Sequence, residues 1–144
     1  MAFTLNTIFL RTVNGMLKIL EFALVLIVLF LARFGGTNGY MISWGSNSYT
    51  FLGIGATVGY AIIIPAIILA YLLGATPSVL EFIINLVGGV LFISMGATLI
   101  EYGNIQAIVG GLAIALGVVF LADFIYLCVT TKFTIYQTTT TIRA

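Results

Sequence analysis

Four long runs of apolar residues, almost free of charge, constrain the fold of this chain more than any other feature of its sequence. They cover approximately residues 16–33, 51–73, 79–100 and 105–129. A helix of about 20 residues rises ~30 Å, which is the thickness of the hydrocarbon core of a bilayer. We therefore predict an all-α membrane protein whose chain crosses the bilayer four times.

The amino-acid composition excludes a soluble domain and several classes of function. Of the 144 residues, 62% are hydrophobic and 6% are charged, whereas soluble domains carry about 25% charged residues. Five Lys and Arg residues are too few and too dispersed to form a nucleic-acid surface. The sequence has no His, one Cys and no phosphate-binding motif. We therefore predict no enzyme activity, no metal ion, no cofactor and no nucleic-acid partner.

The connections between the runs predict how the spans are arranged. Residues 74–78 and 101–104 are short turns that contain Gly, Pro or Asn, and residues 34–50 form a longer uncharged loop rich in Gly, Asn and Ser. Short connections place consecutive helices antiparallel, so we predict an up-down four-helix transmembrane bundle. In this interpretation residues 1–130 form the bundle and residues 131–144 form a tail.

The distribution of cations predicts the orientation of the bundle. An even number of spans places both termini on one side of the membrane. Four cations belong to that side, namely Arg11, Lys18, Lys132 and Arg143. Arg33 alone belongs to the other side. Because Lys and Arg are enriched on the cytoplasmic side of membrane proteins, we predict that both termini and the tail are cytoplasmic.

Acidic residues inside the spans are candidates for a functional or structural polar site, because charges are rare and costly in lipid. Glu21 follows Lys18 by three residues, so the two side chains share a helix face and can pair. Asp123 lies about six residues, roughly 9 Å of helix rise, inside the last span. We predict that Lys18, Glu21 and Asp123 form an interior polar contact. The alternative is a proton-linked carboxylate, as in small multidrug transporters, which also have four spans and a glutamate in the first.

Glu81 has a simpler interpretation at the start of the third span. It follows Ser78 by three residues and precedes an apolar run. This spacing is typical of a capping box, in which the two side chains bond the first backbone N–H groups of a helix. We therefore predict a local capping role for Glu81 rather than a role in binding a ligand.

Small residues recur at four-residue spacing in two of the spans. Gly55 and Gly59 form a Gly-x-x-x-Gly motif in the second span, and Gly111 and Ala115 share this spacing in the fourth. Such stripes allow two helix backbones to approach closely. We predict helix packing at these four positions. Two interpretations remain open: packing within the bundle, or lateral association with partner proteins or further copies of the chain.

Several segments resemble the MARVEL-type family of tetraspan membrane proteins. In that family a Gly and a Lys commonly precede the first apolar run, as Gly15 and Lys18 do here. The similar segments are residues 11–21, 81–85 and 117–123. Within the family, the likeness extends furthest to four-span insect proteins of smooth septate junctions. That likeness rests on residues 33–36, 51–55 and 123–128.

The resemblance implies a non-enzymatic tetraspan protein of the plasma membrane. We expect it to organise cell junctions or membrane domains within the lipid bilayer, by lateral association with other membrane proteins or with further copies of itself. Two alternatives remain open. One is a small proton-coupled transporter that uses Glu21 or Asp123. The other is an accessory subunit of a larger channel or pump.

Overall fold

Four α-helices make up nearly all of the chain that the computed structural model describes, which is residues 9, 11–35, 47–74, 79–101 and 104–142. The helices are α1 (Val13–Phe34), α2 (Asn47–Leu72), α3 (Val79–Ile100) and α4 (Asn104–Ile142). Each contains a stretch that is long and apolar enough to cross a membrane: Val13–Phe34, Phe51–Leu72, Val79–Ile100 and Ile105–Thr130. The predicted fold class, an all-α four-helix transmembrane bundle, is confirmed.

The helix ends differ from the predicted spans in ways that local chemistry explains. Helix α1 begins at Val13 because the side chain of Thr12 accepts a hydrogen bond from the backbone N–H of Gly15 and caps the helix. Helix α4 continues to Ile142, through most of the segment that we interpreted as a tail. Residues 118–144 contain no Gly or Pro that would stop a helix. Most of the predicted first loop and of the turn at 74–78 lies outside the described residues.

Helices α3 and α4 pack most closely, because glycines face each other along their contact. A Cβ atom on Gly96 would lie 2.5 Å from the carbonyl oxygen of Gly110, and one on Gly110 would lie 2.7 Å from the carbonyl oxygen of Gly96. A Cβ atom on Gly117 would lie 2.9 Å from the carbonyl oxygen of Gly89. The two backbones therefore approach to a distance that only glycine permits.

Helix α1 packs between α2 and α4, whereas α2 and α3 approach each other less closely. Tyr60 of α2 bridges that wider gap. Its ring lies edge-on to those of Phe92 and Phe120, with centroids 5.4 Å and 5.1 Å away. Its hydroxyl donates a hydrogen bond of 2.8 Å to the carbonyl oxygen of Ile84. These contacts form the centre of an apolar core to which all four helices contribute.

Large apolar side chains also cover the outside of the bundle. Phe30, Phe51 and Val79 are among many that are well exposed on the three helices that carry them. In water such a surface would cause aggregation, but in a bilayer it contacts acyl chains. Polar and charged groups within the spans must therefore be sheltered by neighbouring helices.

Candidate functional site

The up-down order of the helices brings distant parts of the sequence together at one end of the bundle. Helices α1 and α3 begin at this end, and the apolar stretches of α2 and α4 finish there. We call it the terminal end. Its interior holds a set of polar side chains that we call the polar cluster: Asn14, Lys18 and Glu21 of α1, Tyr71 of α2, Glu81 and Asn85 of α3, and Asp123 of α4.

Lys18 occupies the centre of the polar cluster and is 0% exposed. Its Nζ atom lies 2.6 Å from Oδ2 of Asp123, 2.7 Å from Oδ1 of Asn85 and 2.9 Å from Oε2 of Glu21. An ammonium group has three N–H donors, and these three contacts use all of them. Oε1 of Glu81 lies further away, at 3.6 Å. One side chain of α1 thus reaches acidic residues on its own helix, on α3 and on α4.

Asn85 supports the contact between Lys18 and Asp123. Its Oδ1 atom accepts a hydrogen bond from Lys18, and its Nδ2 atom donates one of 2.8 Å to Oδ2 of Asp123. This carboxylate oxygen therefore receives two donors. Hydrogen bonds to a charged partner are shorter and stronger than neutral ones. Asp123 is consequently the acid with the shortest contact to Lys18 and the one whose oxygen receives the most donors in the cluster.

Tyr71 links α2 to the same cluster. Its hydroxyl donates a hydrogen bond to Oε2 of Glu81 and accepts one of 3.3 Å from Nδ2 of Asn14. The ring of Phe9 stacks on the ring of Tyr71, with the centroids 4.3 Å apart. All four helices therefore meet at the polar cluster, and a single tyrosine provides the contribution of α2.

The cluster contains more acid than base. Glu21, Glu81 and Asp123 share the one ammonium group of Lys18. All three acidic side chains are buried, at 0%, 3% and 0% exposed. Within the described ranges, one oxygen of each acid has no hydrogen-bond partner: Oε1 of Glu21, Oε1 of Glu81 and Oδ1 of Asp123. Ionised groups that lack a counter-charge are unfavourable in a medium of low dielectric constant.

The three residues predicted to form an interior polar contact all lie in the cluster, while the other members were not foreseen as parts of it. Asn85 interrupts an apolar run and lies four residues after Glu81, on the same face of α3, which is a signal that sequence analysis could have used. Glu81 faces Lys18 and Tyr71. The predicted capping contact of Glu81 involves Ser78, which lies outside the described residues.

The small residues predicted to pack helices face away from the bundle. Cβ atoms added to Gly55, Gly59 or Gly111 would meet no heavy atom within 4 Å, and Ala115 is exposed. The bundle instead uses other glycines for its internal contacts. These are Gly88, Gly89 and Gly96 of α3, and Gly110 and Gly117 of α4. Helix α4 therefore carries small residues on its inner and its outer face.

The chemistry available to the polar cluster is that of proton and charge exchange. In the part of the chain that the structure describes, no three His, Cys, Asp or Glu side chains are arranged to hold a metal ion. The central position among the acids is filled by the ammonium group of Lys18. The groups present can hold, share or release protons, and they can tie the four helices together.

No protein-family model matches the sequence, and no curated protein or solved structure matches it. The likeness to MARVEL-type tetraspans accordingly stays a prediction from the sequence. The four spans, the polar cluster and the outward-facing small residues are the observations on which a function can be argued.

Proposed function

We propose that this protein is a non-enzymatic organiser of membrane domains or cell junctions, which acts by lateral association with other membrane proteins. The observation that carries the proposal is the outward orientation of Gly55 and Gly59 on α2. They lie one helical turn apart, so they share a face and leave a shallow groove along the helix. Another transmembrane helix can approach closely at such a groove.

The bundle itself shows what such faces do in this chain. Gly96 and Gly110 bring α3 and α4 close enough for each glycine to contact the backbone of the other helix. Gly111 and Ala115 present a second small-residue face on the opposite side of α4, which no helix of the bundle covers. The chain therefore has outward faces of the type that it already uses for close packing inside.

The resemblance to MARVEL-type tetraspans supports the same function and extends it. Within that family, the sequence resembles insect snakeskin, a four-span component of smooth septate junctions. In this proposal the protein resides in the plasma membrane with both termini in the cytoplasm, and its partners are membrane proteins that include copies of itself. The polar cluster holds the bundle together, so that the outer faces keep a fixed relative position.

The test is to fill the groove on α2 without disturbing the bundle. The double variant Gly55→Leu, Gly59→Leu adds bulk where the structure leaves open space. We expect the complex extracted in mild detergent to lose mass or partner proteins, while thermal stability stays near that of the wild type. The second face is tested in the same way with Gly111→Leu, Ala115→Leu.

The matched control is Ala23→Leu. Ala23 is an exposed position on α1, and its neighbours four residues away are Ile19 and Ile27 rather than small residues. This variant adds apolar bulk to the lipid-facing surface without filling a groove. The complex should therefore keep its size and composition. If both double variants also leave the complex and its enrichment at junctions unchanged, lateral association through these faces is wrong.

A second candidate function is proton-coupled transport, which the three buried acids around Lys18 favour. Intramembrane carboxyl groups are the usual carriers of protons in pumps and transporters. Reconstitution into proteoliposomes with an imposed pH gradient distinguishes the two candidates. If the wild type shows substrate uptake or efflux and a folded Glu21→Gln variant does not, transport rather than lateral organisation is the primary function. Stoichiometric co-purification with a channel or pump would instead identify an accessory subunit.

A further inference from the structure

We infer that the polar cluster is a proton-binding site, in which Glu21 and Glu81 carry protons and Asp123 is the ionised partner of Lys18. The inference is independent of the proposed function, because it concerns the charge state of the interior and not the outer faces. It assigns different chemical states to three acids that lie in one buried cluster.

The balance of charge requires protons or cations in this interior. If Glu21, Glu81 and Asp123 were all ionised, one ammonium group would face three carboxylates. Two negative charges would remain unbalanced among side chains that are at most 3% exposed. Such charges are strongly unfavourable in lipid and in a packed protein interior. Two protons restore electrical neutrality.

Protons fit this site better than a metal ion does. Nζ of Lys18 already occupies the position between Oε2 of Glu21 and Oδ2 of Asp123, at 2.9 Å and 2.6 Å. A second cation between these acids would lie next to the ammonium group and be repelled by it. None of the described segments supplies three or more acidic, His or Cys side chains in the arrangement of a metal site.

The hydrogen bonds show which acid stays ionised. Oδ2 of Asp123 accepts from both Lys18 and Asn85, at 2.6 Å and 2.8 Å. Two donors on one oxygen, one of them charged, stabilise a carboxylate. Asp123 therefore neutralises Lys18, and the cluster needs no further anion.

Glu21 and Glu81 are held more weakly. Glu21 receives a single contact from Lys18, and Oε1 of Glu81 lies 3.6 Å from Nζ of the same lysine. The other hydrogen bond of Glu81 comes from the neutral hydroxyl of Tyr71. Fewer donors and weaker charge contacts leave these two acids less able to remain ionised than Asp123.

Unpartnered buried oxygens show where protons can be carried. In the described residues, one oxygen of each acid accepts no hydrogen bond: Oε1 of Glu21, Oε1 of Glu81 and Oδ1 of Asp123. Each of the three can carry a proton, so the assignment among them depends on the contacts of their other oxygens. Oδ1 of Asn14 also lacks a partner, although Asn14 is only 9% exposed and its Nδ2 atom contacts Tyr71. A buried amide oxygen without a donor is the kind of acceptor that a carboxyl O–H requires.

The proton occupancy predicts a direction for the pH dependence of stability. The ionisable groups of the cluster are Lys18 and Glu21 from α1, Tyr71 from α2, Glu81 from α3 and Asp123 from α4, and Tyr60 of α2 lies within range of the charge of Glu21. A carboxyl group that holds its proton in the folded bundle, but releases it once exposed, stabilises the fold at low pH. That stabilisation is lost progressively as the pH rises above about 4, where an exposed glutamate releases its proton, and the loss is complete once Glu21 and Glu81 ionise inside the bundle.

Infrared spectroscopy of the purified protein in lipid nanodiscs tests the assignment directly. Wild-type protein at neutral pH should show the C=O band of protonated carboxyl groups, and the band should disappear at alkaline pH. The double variant Glu21→Gln, Glu81→Gln should fold, because glutamine imitates a protonated glutamate, and it should lack the band. Absence of the band in folded wild type, or its persistence in the double variant, would overturn the inference.

Thermal melting over the same pH range provides the second measurement. The double glutamine variant should match the wild type near about pH 4, where the glutamates of both the folded and the unfolded wild type hold their protons. It should lose most of the fall in melting temperature that the wild type shows as the pH is raised from there to alkaline conditions. Asp123→Asn, by contrast, removes the counter-charge of Lys18, so we expect a large loss of folded protein at neutral pH. A double glutamine variant that fails to fold, or an Asp123→Asn variant as stable as the wild type, contradicts the assignment.

Discussion

Nζ of Lys18 lies 2.6 Å from Oδ2 of Asp123, which joins the second turn of α1 to the final turns of the apolar stretch of α4. Both side chains are fully buried. The contact connects the first and last helices of the chain through charged groups that lipid cannot solvate. It therefore selects the arrangement in which the first turns of α1 lie beside the last turns of the apolar stretch of α4.

Removal of either partner should destabilise the bundle far more than removal of both. Lys18→Met leaves Asp123 buried without its counter-charge, and the loss of one partner from a buried ion pair costs about 3–5 kcal/mol. Replacement of both residues, as Lys18→Met with Asp123→Leu, should recover a large part of that loss. Unfolding by titration with a denaturing detergent gives the three free energies. A double variant less stable than the sum of the two single variants would contradict this interpretation.

Substitution of glycine by alanine should destabilise the bundle at an inner position and stabilise it at an outer position. Gly96→Ala places a Cβ atom 2.5 Å from a backbone oxygen of α4, so the helices must separate. We expect a loss of about 1–3 kcal/mol, typical of overpacking. Gly111→Ala meets no atom within 4 Å, and the greater helix propensity of alanine should stabilise the protein by up to ~1 kcal/mol. Equal effects in thermal melting would show that the α3–α4 contact is looser than the structure indicates.

Loss of the Tyr71 hydroxyl should weaken the link between α2 and the polar cluster. Tyr71→Phe retains the stacking on Phe9 but removes the donor to Glu81 and the acceptor for Asn14. We expect a destabilisation of about 1–3 kcal/mol, because buried polar groups lose their partner. Tyr126→Phe, at a half-buried position on α4 outside the cluster, is the control and should change little. A similar effect of the two variants would argue against a special role for Tyr71.

The orientation of the bundle can be measured with single cysteines. Cys128→Ala removes the one native cysteine, after which Ala144→Cys and Ser43→Cys supply one reporter each. The distribution of cations predicts that a membrane-impermeant thiol reagent labels position 43 in intact cells and labels position 144 only after permeabilisation. The reverse pattern would place both termini outside and would require the cations to be explained in another way.

Much of the architecture could be predicted from the sequence, because the bilayer imposes a length that can be counted along the chain. Four apolar runs predict four helices, and short turns predict antiparallel neighbours. The three-residue spacing of Lys18 and Glu21 also predicts that they share a face, because helix geometry is local. The inward orientation of Asp123 could likewise be predicted from the sequence, because a charged side chain must be sheltered from lipid.

Other features depended on which helices become neighbours, and helical periodicity does not contain that information. The spacing of Gly55, Gly59, Gly111 and Ala115 identifies helix faces suited to close packing, but only the tertiary structure places them on the outside. The same holds for Tyr71, Glu81 and Asn85, which come together through contacts between helices distant in the sequence. Sequence alone determined the number and character of the spans, because hydrophobicity and length act along the chain. Tertiary structure decided which residues share the buried charge, because that depends on distances between helices.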